Sequence, residues 1–480
     1  MEKQRNPSIL QALVPLIFLI IFLFLNVKIF NDTLAGANQI ILILSATIAG
    51  LIAFRLKISW GKIRDSIMNS IDTAMPSILI LLVIGSLAGT WLISGIVPVM
   101  IYYGLKIINP SVFLLTALVV CCVVSLVTGS SWSTVATIGV ALLGIGKTLG
   151  IHEGLVAGAI ISGSYFGDKM SPLSDTTNLA PAVAGTDLFT HIRYMVITTT
   201  PSIIITMIIF FIIGISSDYT LSSNNVEAVL ATIRSNFNLN PLLLLIPVIL
   251  FVIIVKKVPA LPALIAGTLL GAIAALIFQH RLIEQLNTEH FGRFKASYQV
   301  LMTAMFGNTS IQTDSAALND LFSTSGMAGM LNTVWLIISA MVFGGAMEAA
   351  GLLTRISKAV VKFANSTGSL IASTIATCIF FNITASDQYI SIVIPGRMYS
   401  KTFRERGLKP EVLSRTLEDA GTLTSVLVPW NTCGATQAKV LGVATLTYLP
   451  YCFFNLVNPI VSVTIAYLNF KIRRIEDDKK

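Results

Sequence analysis

Residues 167–181 read GDKMSPLSDTTNLAP. Apolar chain lies on both sides, yet this stretch holds Asp168, Lys169, Ser171, Ser174, Asp175, Thr176, Thr177 and Asn178, with Pro172 to interrupt a helix. In a soluble protein such a segment would be a surface loop, but the composition excludes an ordinary soluble domain. Of 480 residues, 54% are hydrophobic and 11% charged, where soluble domains carry about 25% charged residues. Apolar runs of about 20 residues, enough to span roughly 30 Å as helices, recur along the chain. The segment therefore lies inside a membrane protein, where irregular backbone is tolerated only if protein buries it or it lines a watery cavity.

The hydropathy pattern predicts spans at 9–30, 38–54, 76–105, 153–191 (interrupted by the opening stretch), 194–215, 241–255, 259–279, 331–352, 410–447 (interrupted) and 449–470. Two more apolar segments, 111–148 and 367–400, are broken near the middle by TGSSWST and TASDQYI and read as re-entrant hairpins. The first apolar run exceeds the core of a signal peptide and reads as a transmembrane helix. The formal charge of +9 does not indicate nucleic acid here, because the basic residues sit in short loops. With the N-terminus inside, about 22 of the 32 Lys and Arg fall on the cytoplasmic side, the bias that sets orientation. Both termini are expected in the cytoplasm.

A shift of 257 residues brings Thr128-Gly-Ser-Ser within one position of Thr384-Ala-Ser-Asp. It also lays Gly150 on Gly407, Pro172 on Pro429, Ser174 on Asn431, Asp175 on Thr432, Gly185 on Gly442 and Tyr194 on Tyr451. The segment 143–155 holds only Lys147, whereas its counterpart 400–412 holds Lys401, Arg404, Arg406 and Lys409, so equivalent loops are expected on opposite sides. The predicted fold is an all-α polytopic membrane protein of about ten transmembrane helices plus two re-entrant hairpins. These form two inverted-topology repeats, each with one discontinuous helix, a layout found in secondary transporters. The organisation expected is a first repeat at 1–215 with its break at 167–181, an extracytoplasmic loop at 216–240, a second repeat at 241–470 with its break at 429–436, and a charged cytoplasmic tail at 471–480.

Hard cations such as Na⁺ take oxygen ligands. The first break offers Ser174, Asp175, Thr176, Thr177 and Asn178, the second Asn431 and Thr432. The hairpin tips add Thr128, Ser130 and Ser131, and Thr384, Ser386 and Asp387. Asp175 is the first choice for a carboxylate that holds either a proton or Na⁺, with Ser174 and Thr176 as co-ligands; the competing reading is an Asp that caps the half-helix after the break. Asp168 and Lys169 read either as a pathway pair or as a structural one. Glu418 and Asp419 read as a buried pair with Arg415 or as a proton relay, and Glu348, without a sequence-local partner, stays a relay candidate. The cysteines show no C-x-x-C pattern and the histidines no metal spacing. GIGKTLG at 144–150 lacks the first glycine and the strand of a phosphate loop, and no catalytic arrangement is suggested, so neither an ATPase nor another enzyme is expected and no cofactor is implied.

The run GSYFGDKMSPLSDTTNLAPAVAGTDLFTHIRYM, with GTWLISGIVPVMIYYGL and VTGSSWSTVATIG upstream, closely resembles the NhaC family of Na⁺/H⁺ antiporters. It is also similar to the branch that exchanges malate and protons for lactate and Na⁺. The resemblance implies two hairpins and two unwound helices facing each other across a pseudo-two-fold axis. It bears on Asp168, Ser174, Asp175, Thr176, Thr177 and Asn178, and on Gly129, Ser130, Ser131 and Trp132. Three readings follow: Na⁺/H⁺ exchange, exchange coupled to lactate or malate, and a passive channel or scaffold. The expected partners are Na⁺, H⁺ and the lipid bilayer, with no nucleic acid, and a homodimer is left open. Residues 281–330 read as a peripheral amphipathic helix and loop with Asp314 and Asp320 solvated.

Overall fold

A computed structural model describes residues 6–30, 36–107, 109–216, 223–256, 258–287, 289, 291–313, 319, 322–361 and 365–475. Asp314, Asp320 and the last residues of the predicted tail, 476–480, lie outside this set. The chain is almost entirely helical. In order the helices are α1 (Ile9–Ile29), α2 (Ala37–Arg55), α3 (Trp60–Ile93), α4 (Ile96–Ile107), α5 (Phe113–Thr128), α6 (Ser131–Thr134), α7 (Val140–Thr148), α8 (Glu153–Met170), α9 (Asp175–Ala184), α10 (Leu188–Ser216), α11 (Ser223–Asn236) and α12 (Leu245–Val255). They continue with α13 (Ala260–Phe278), α14 (His280–Gln285), α15 (Arg293–Phe306), α16 (Leu331–Ala349), α17 (Leu352–Val361), α18 (Thr367–Thr384), α19 (Gln388–Glu405), α20 (Pro410–Leu417), α21 (Leu423–Ser425), α22 (Thr432–Leu441), α23 (Thr445–Tyr448) and α24 (Phe453–Tyr467). Wide π-helical turns join α6 to α7 and α20 to α21.

Among the described residues, eight helices are long and apolar enough to cross a membrane, or up to ten if each of two bent helix pairs counts as one span. Large apolar side chains on their outer faces, such as Ile17, Ile20 and Phe24 on α1, are exposed, as lipid-facing residues are. Helix α16 packs against α2 and α3, and α13 packs on α3. This frame flanks the hairpins and broken helices.

The structure differs from the sequence reading in several boundaries. The span expected at 76–105 is two helices, because α3 starts at Trp60 and Gly95 (φ 80°) ends it. Its polar first turns escape a hydropathy reading but pack on α16, where Ser66 Oγ donates to the Gly345 carbonyl at 3.0 Å. The expected loop 216–240 contains α11; 281–330, expected to hold one helix and a loop, has α15 and the end of α14, and adds an antiparallel pair, β1 (Thr309–Ser310) with β2 (Ser323–Thr324). The first break spans only 171–174, since Ser171, placed before Pro172, is extended and Ser174 restarts the helix as its cap. The second break runs 426–431 rather than 429–436, because Asn431 caps α22.

The offset of 257 recurs in the backbone. Gly129 and Ser386 are left-handed at the two hairpin tips (φ 71° and 60°), as are Gly150 and Gly407 (69° and 68°) and Gly185 and Gly442 (86° and 66°). Ser130 and Asp387 cap the second hairpin limbs, Ser174 and Asn431 cap the helices after the breaks, and α9 and α22 are both 10 residues long. Helix α8 is the central post, and its glycines bring backbones together. A Cβ at Gly163 or Gly167 would fall 2.3 Å from the Leu118 carbonyl or the Leu126 nitrogen of α5. On another side, a Cβ at Gly154 or Gly158 would meet the Thr447 or Tyr451 carbonyl at 2.3 and 2.5 Å.

Candidate functional site

The first tip seats on the first break. A Cβ at Gly129 would lie 2.6 Å from Leu173 Cβ and 2.9 Å from the Ser174 nitrogen, so only glycine allows the approach. Ser130 Oγ accepts from the Ser133 amide at 3.2 Å and so restarts the second limb. Ser131 then donates both its amide (3.1 Å) and its hydroxyl (2.6 Å) to Asp168 Oδ2. Thr128 Oγ1 lies 3.4 Å from Thr134 Oγ1 within the tip. The tip therefore clasps a carboxylate that stands in the last turn of α8, almost fully buried.

The break divides its oxygens between two tasks. Thr177 Oγ1 donates to the Asp168 and Lys169 carbonyls at 3.1 and 2.9 Å, and Asn178 Nδ2 donates to those of Pro172 and Ser174 at 2.9 and 2.7 Å. Both thus satisfy carbonyls that a broken helix leaves without partners. Ser174, which lies 3.2 Å from Thr176 Oγ1, faces Asp168 along with Asp175. The cap of α9 is Ser174, not Asp175, which is the first helical residue, exposed and without a hydrogen bond or ion pair among the described residues.

The second tip meets the second break in the same manner. Asp387 Oδ1 accepts from the Tyr389 and Ile390 amides at 2.9 and 3.0 Å, and the Thr432 amide donates to the Ser386 carbonyl at 2.9 Å. Thr432 Oγ1 lies 3.5 Å from Asp387 Oδ2, and Asn431 Nδ2 donates to the Asn382 carbonyl at 3.0 Å. Ser386 Oγ is buried without a partner among the described residues, while Thr384 turns back to the Phe380 carbonyl of its own helix at 2.8 Å.

The four elements converge on one cavity of about 430 Å³. Its walls are Thr128, Gly129 and Ser130 of the first tip, Asp168 and Pro172–Thr176 of the first break, Gln388 and Tyr389 of the second tip, and Thr432 and Cys433 of the second break. Helix α3 (Ser77, Ile80) and the α12–α13 junction (Ile254, Val258) complete it. Of the residues expected to bind an ion, Ser131 and Asp387 stand just behind these walls, and Thr177, Asn178, Thr384 and Asn431 serve the backbone.

A second polar cluster lies behind α8. Lys169 Nζ is 2.6 Å from Asp419 Oδ1, which also receives Asn458 Nδ2 at 2.8 Å and Thr198 Oγ1 at 3.0 Å. Arg415 Nε lies 3.5 Å from Asp419 Oδ2 and its guanidinium covers the Tyr194 ring at 4.7 Å. Lys169, Arg415 and Asp419 are fully buried. The adjacent Asp168 and Lys169 are thus not a pair, because neighbours on a helix point about 100° apart: one faces the tip, the other Asp419. The Arg415–Asp419 pair is present. Glu418, fully buried in the π-helical turn, has no hydrogen bond to either oxygen among the described residues and faces Lys169, Asp168 and Thr176. Glu348 is exposed at the end of α16 beside Lys62 and Asn6, apart from both clusters. The sequence reading missed Thr198 and Asn458, polar residues within apolar helices, and Tyr389 and Gln388, which stand in the quoted TASDQYI.

Comparison with known proteins adds the ancestry of this arrangement. Residues 163–470, which hold the first break, the second hairpin and the second break, match the Na⁺/H⁺ antiporter family. The chain belongs to that family. It is 35% identical to the Na⁺/H⁺ antiporter NhaC of Alkalihalophilus pseudofirmus over 90% of each chain. It is also 35% identical to a malate-2H⁺/Na⁺-lactate antiporter of Bacillus subtilis, over 97% of this chain and 96% of that one. A third relative, the arginine/ornithine antiporter ArcD of Halobacterium salinarum, is 34% identical over 98% of this chain and 94% of that one.

Proposed function

We propose that this protein of the Na⁺/H⁺ antiporter family exchanges Na⁺ for H⁺ across the bacterial plasma membrane by alternating access, with both termini in the cytoplasm and the two repeats inverted. The observation that carries the reading is the convergence of two tips and two breaks on one cavity, since irregular polar backbone at this depth is maintained only where it serves a pathway or is buried in protein. Asp175 at the mouth draws the cation in, and Asp168 receives it with Ser174 and Thr176. Ser131 orients Asp168 through two hydrogen bonds. A proton and Na⁺ compete for the same carboxylate, which couples exit of one to entry of the other. Asp387 holds the second tip against the second break, and the buried charges behind α8 fix the post on which Asp168 stands.

The test is dye-reported proton movement in proteoliposomes on addition of Na⁺. Asp168→Asn should abolish the response, and Asp175→Asn should raise the Na⁺ concentration needed while leaving exchange in place. Native exchange by Asp168→Asn would overturn the assignment. A second reading, coupling to lactate or malate, draws on the cavity volume of about 430 Å³, within the usual range for small-molecule pockets. Proton movement that requires one of these acids would select it.

A further inference from the structure

A second cavity of about 430 Å³ shares three walls with the first. Helix α3 contributes Ser77 and Ile80 to the first and Leu87 and Trp91 to the second. The second limb of the first hairpin passes from Trp132 and Ser133 to Val140 and Lys147, and α22 passes from Thr432 and Cys433 to Lys439 and Gly442. At 1.5 Å per residue, Ser77 to Trp91 is about 21 Å of helix. The two cavities therefore sit at different depths along the same three segments, and their charge differs in sign. Among the described residues, Asp168 and Asp175 line the first with no Lys or Arg beside them, and Lys147 and Lys439 line the second with no Asp or Glu.

The two lysines are not equivalent. Lys147 is tied to Glu153 at 3.2 Å. Lys439 is partly buried and makes no ion pair among the described residues, with its ammonium near Gly329 and the hydroxyl-bearing run Ser323–Ser325 on the same cavity wall. A cation in the last turn of a helix can serve the helix dipole alone. Against that role, α9, the counterpart of α22, has the same length and the same left-handed glycine cap with Ala182 at the matching position, so the turn forms without a cation.

We propose that this second cavity is a binding site for a small carboxylate, with Lys439 as its anchoring cation. The assignment rests on the organic-acid reading and places the acid in the second cavity instead of the first: the carboxylate would occupy one end of the pathway whose other end takes the cation. The ammonium is a point charge that the carboxylate meets at the edge of a low-dielectric wall, and hydroxyls supply the remaining donors.

The experiment is thermal unfolding of the purified full-length protein, titrated with sodium L-lactate or L-malate, with sodium phosphate and sodium chloride at equal ionic strength as comparisons. The expected result is a saturable rise in unfolding temperature with lactate or malate alone. Lys439→Gln should weaken apparent affinity by about 10-fold or more, the scale of a lost hydrogen bond to a charged group, and Lys439→Arg should retain binding. No rise in the native protein, an equal rise with phosphate or chloride, or unchanged affinity in Lys439→Gln would each overturn it. Because no gradient is involved, failure here is separable from failure of Na⁺ exchange, which is read by proton flux with Na⁺ and no organic acid.

Discussion

Replacing Asp419 by Asn removes the carboxylate that forms ion pairs with two fully buried cations. Lys169 at 2.6 Å and Arg415 at 3.5 Å lose their counter-charge, while Asn458 and Thr198 keep an amide oxygen to bond. With an effective dielectric of about 20, the attractions amount to roughly 6 and 5 kcal/mol before desolvation is counted. The net loss on breaking a buried pair is smaller, about 3–5 kcal/mol, because it reflects a charge left unpaired. Asp419→Asn should therefore lower unfolding free energy by that amount, as read by denaturant titration in mixed micelles. Lys169→Met should be costly too, since it leaves Asp419 with Arg415 alone. The double variant should cost less than the sum, with a coupling above about 1 kcal/mol. Additivity within about 0.5 kcal/mol would mean that the two side chains do not interact as the structure has them, and the account of α8 as an anchored post would fall.

Gly129→Ala should abolish exchange and reduce stability, because the new Cβ meets Leu173 at 2.6 Å at a left-handed φ; Gly442→Ala, also left-handed but with open space around it, should cost only about 1–2 kcal/mol and retain exchange, as measured by flux and unfolding of both variants. Ser131→Ala keeps the amide bond to Asp168 but loses the hydroxyl at 2.6 Å, so the Na⁺ concentration for half-maximal proton flux should rise about 10-fold, the lower end for a hydrogen bond to a charge. Thr177→Val frees the carbonyls of Asp168 and Lys169 and should destabilise by about 1–3 kcal/mol without changing Na⁺ selectivity, which flux with Na⁺ against K⁺ will check.

The presence of two breaks and the 257-residue spacing of turns and caps were legible, though not their exact bounds, because local residue types encode them. Glycine at a left-handed turn and Ser or Asn at a cap carry their geometry in the sequence, and the pairs Gly150/Gly407, Gly185/Gly442 and Ser174/Asn431 recur at 257. The choice between Asp168 and Asp175 was not legible. Both stand in one polar run, and which faces the tip depends on where α8 stops, which is set by Ser171 and Pro172 together with the seating of Gly129. The partner of Lys169 was equally hidden, since Asp419 follows it by 250 positions and no local pattern links them. The polar start of α3 and the helix within 216–240 escaped for another reason: their stability comes from packing on neighbours, not from an apolar run long enough to register.

The glycine rows of α8 also set a timetable for synthesis. Gly154 and Gly158 are fitted to the backbone at Thr447 and Tyr451, and Lys169 is fitted to Asp419, so the central helix is finished by chain that is made some 250 to 300 residues later. At about 5–20 residues per second, a bare ammonium and a strip of glycine backbone wait on the order of 12–60 seconds for their partners. A chain that ends before Asp419 therefore carries Lys169 without the carboxylate it pairs with in the finished fold.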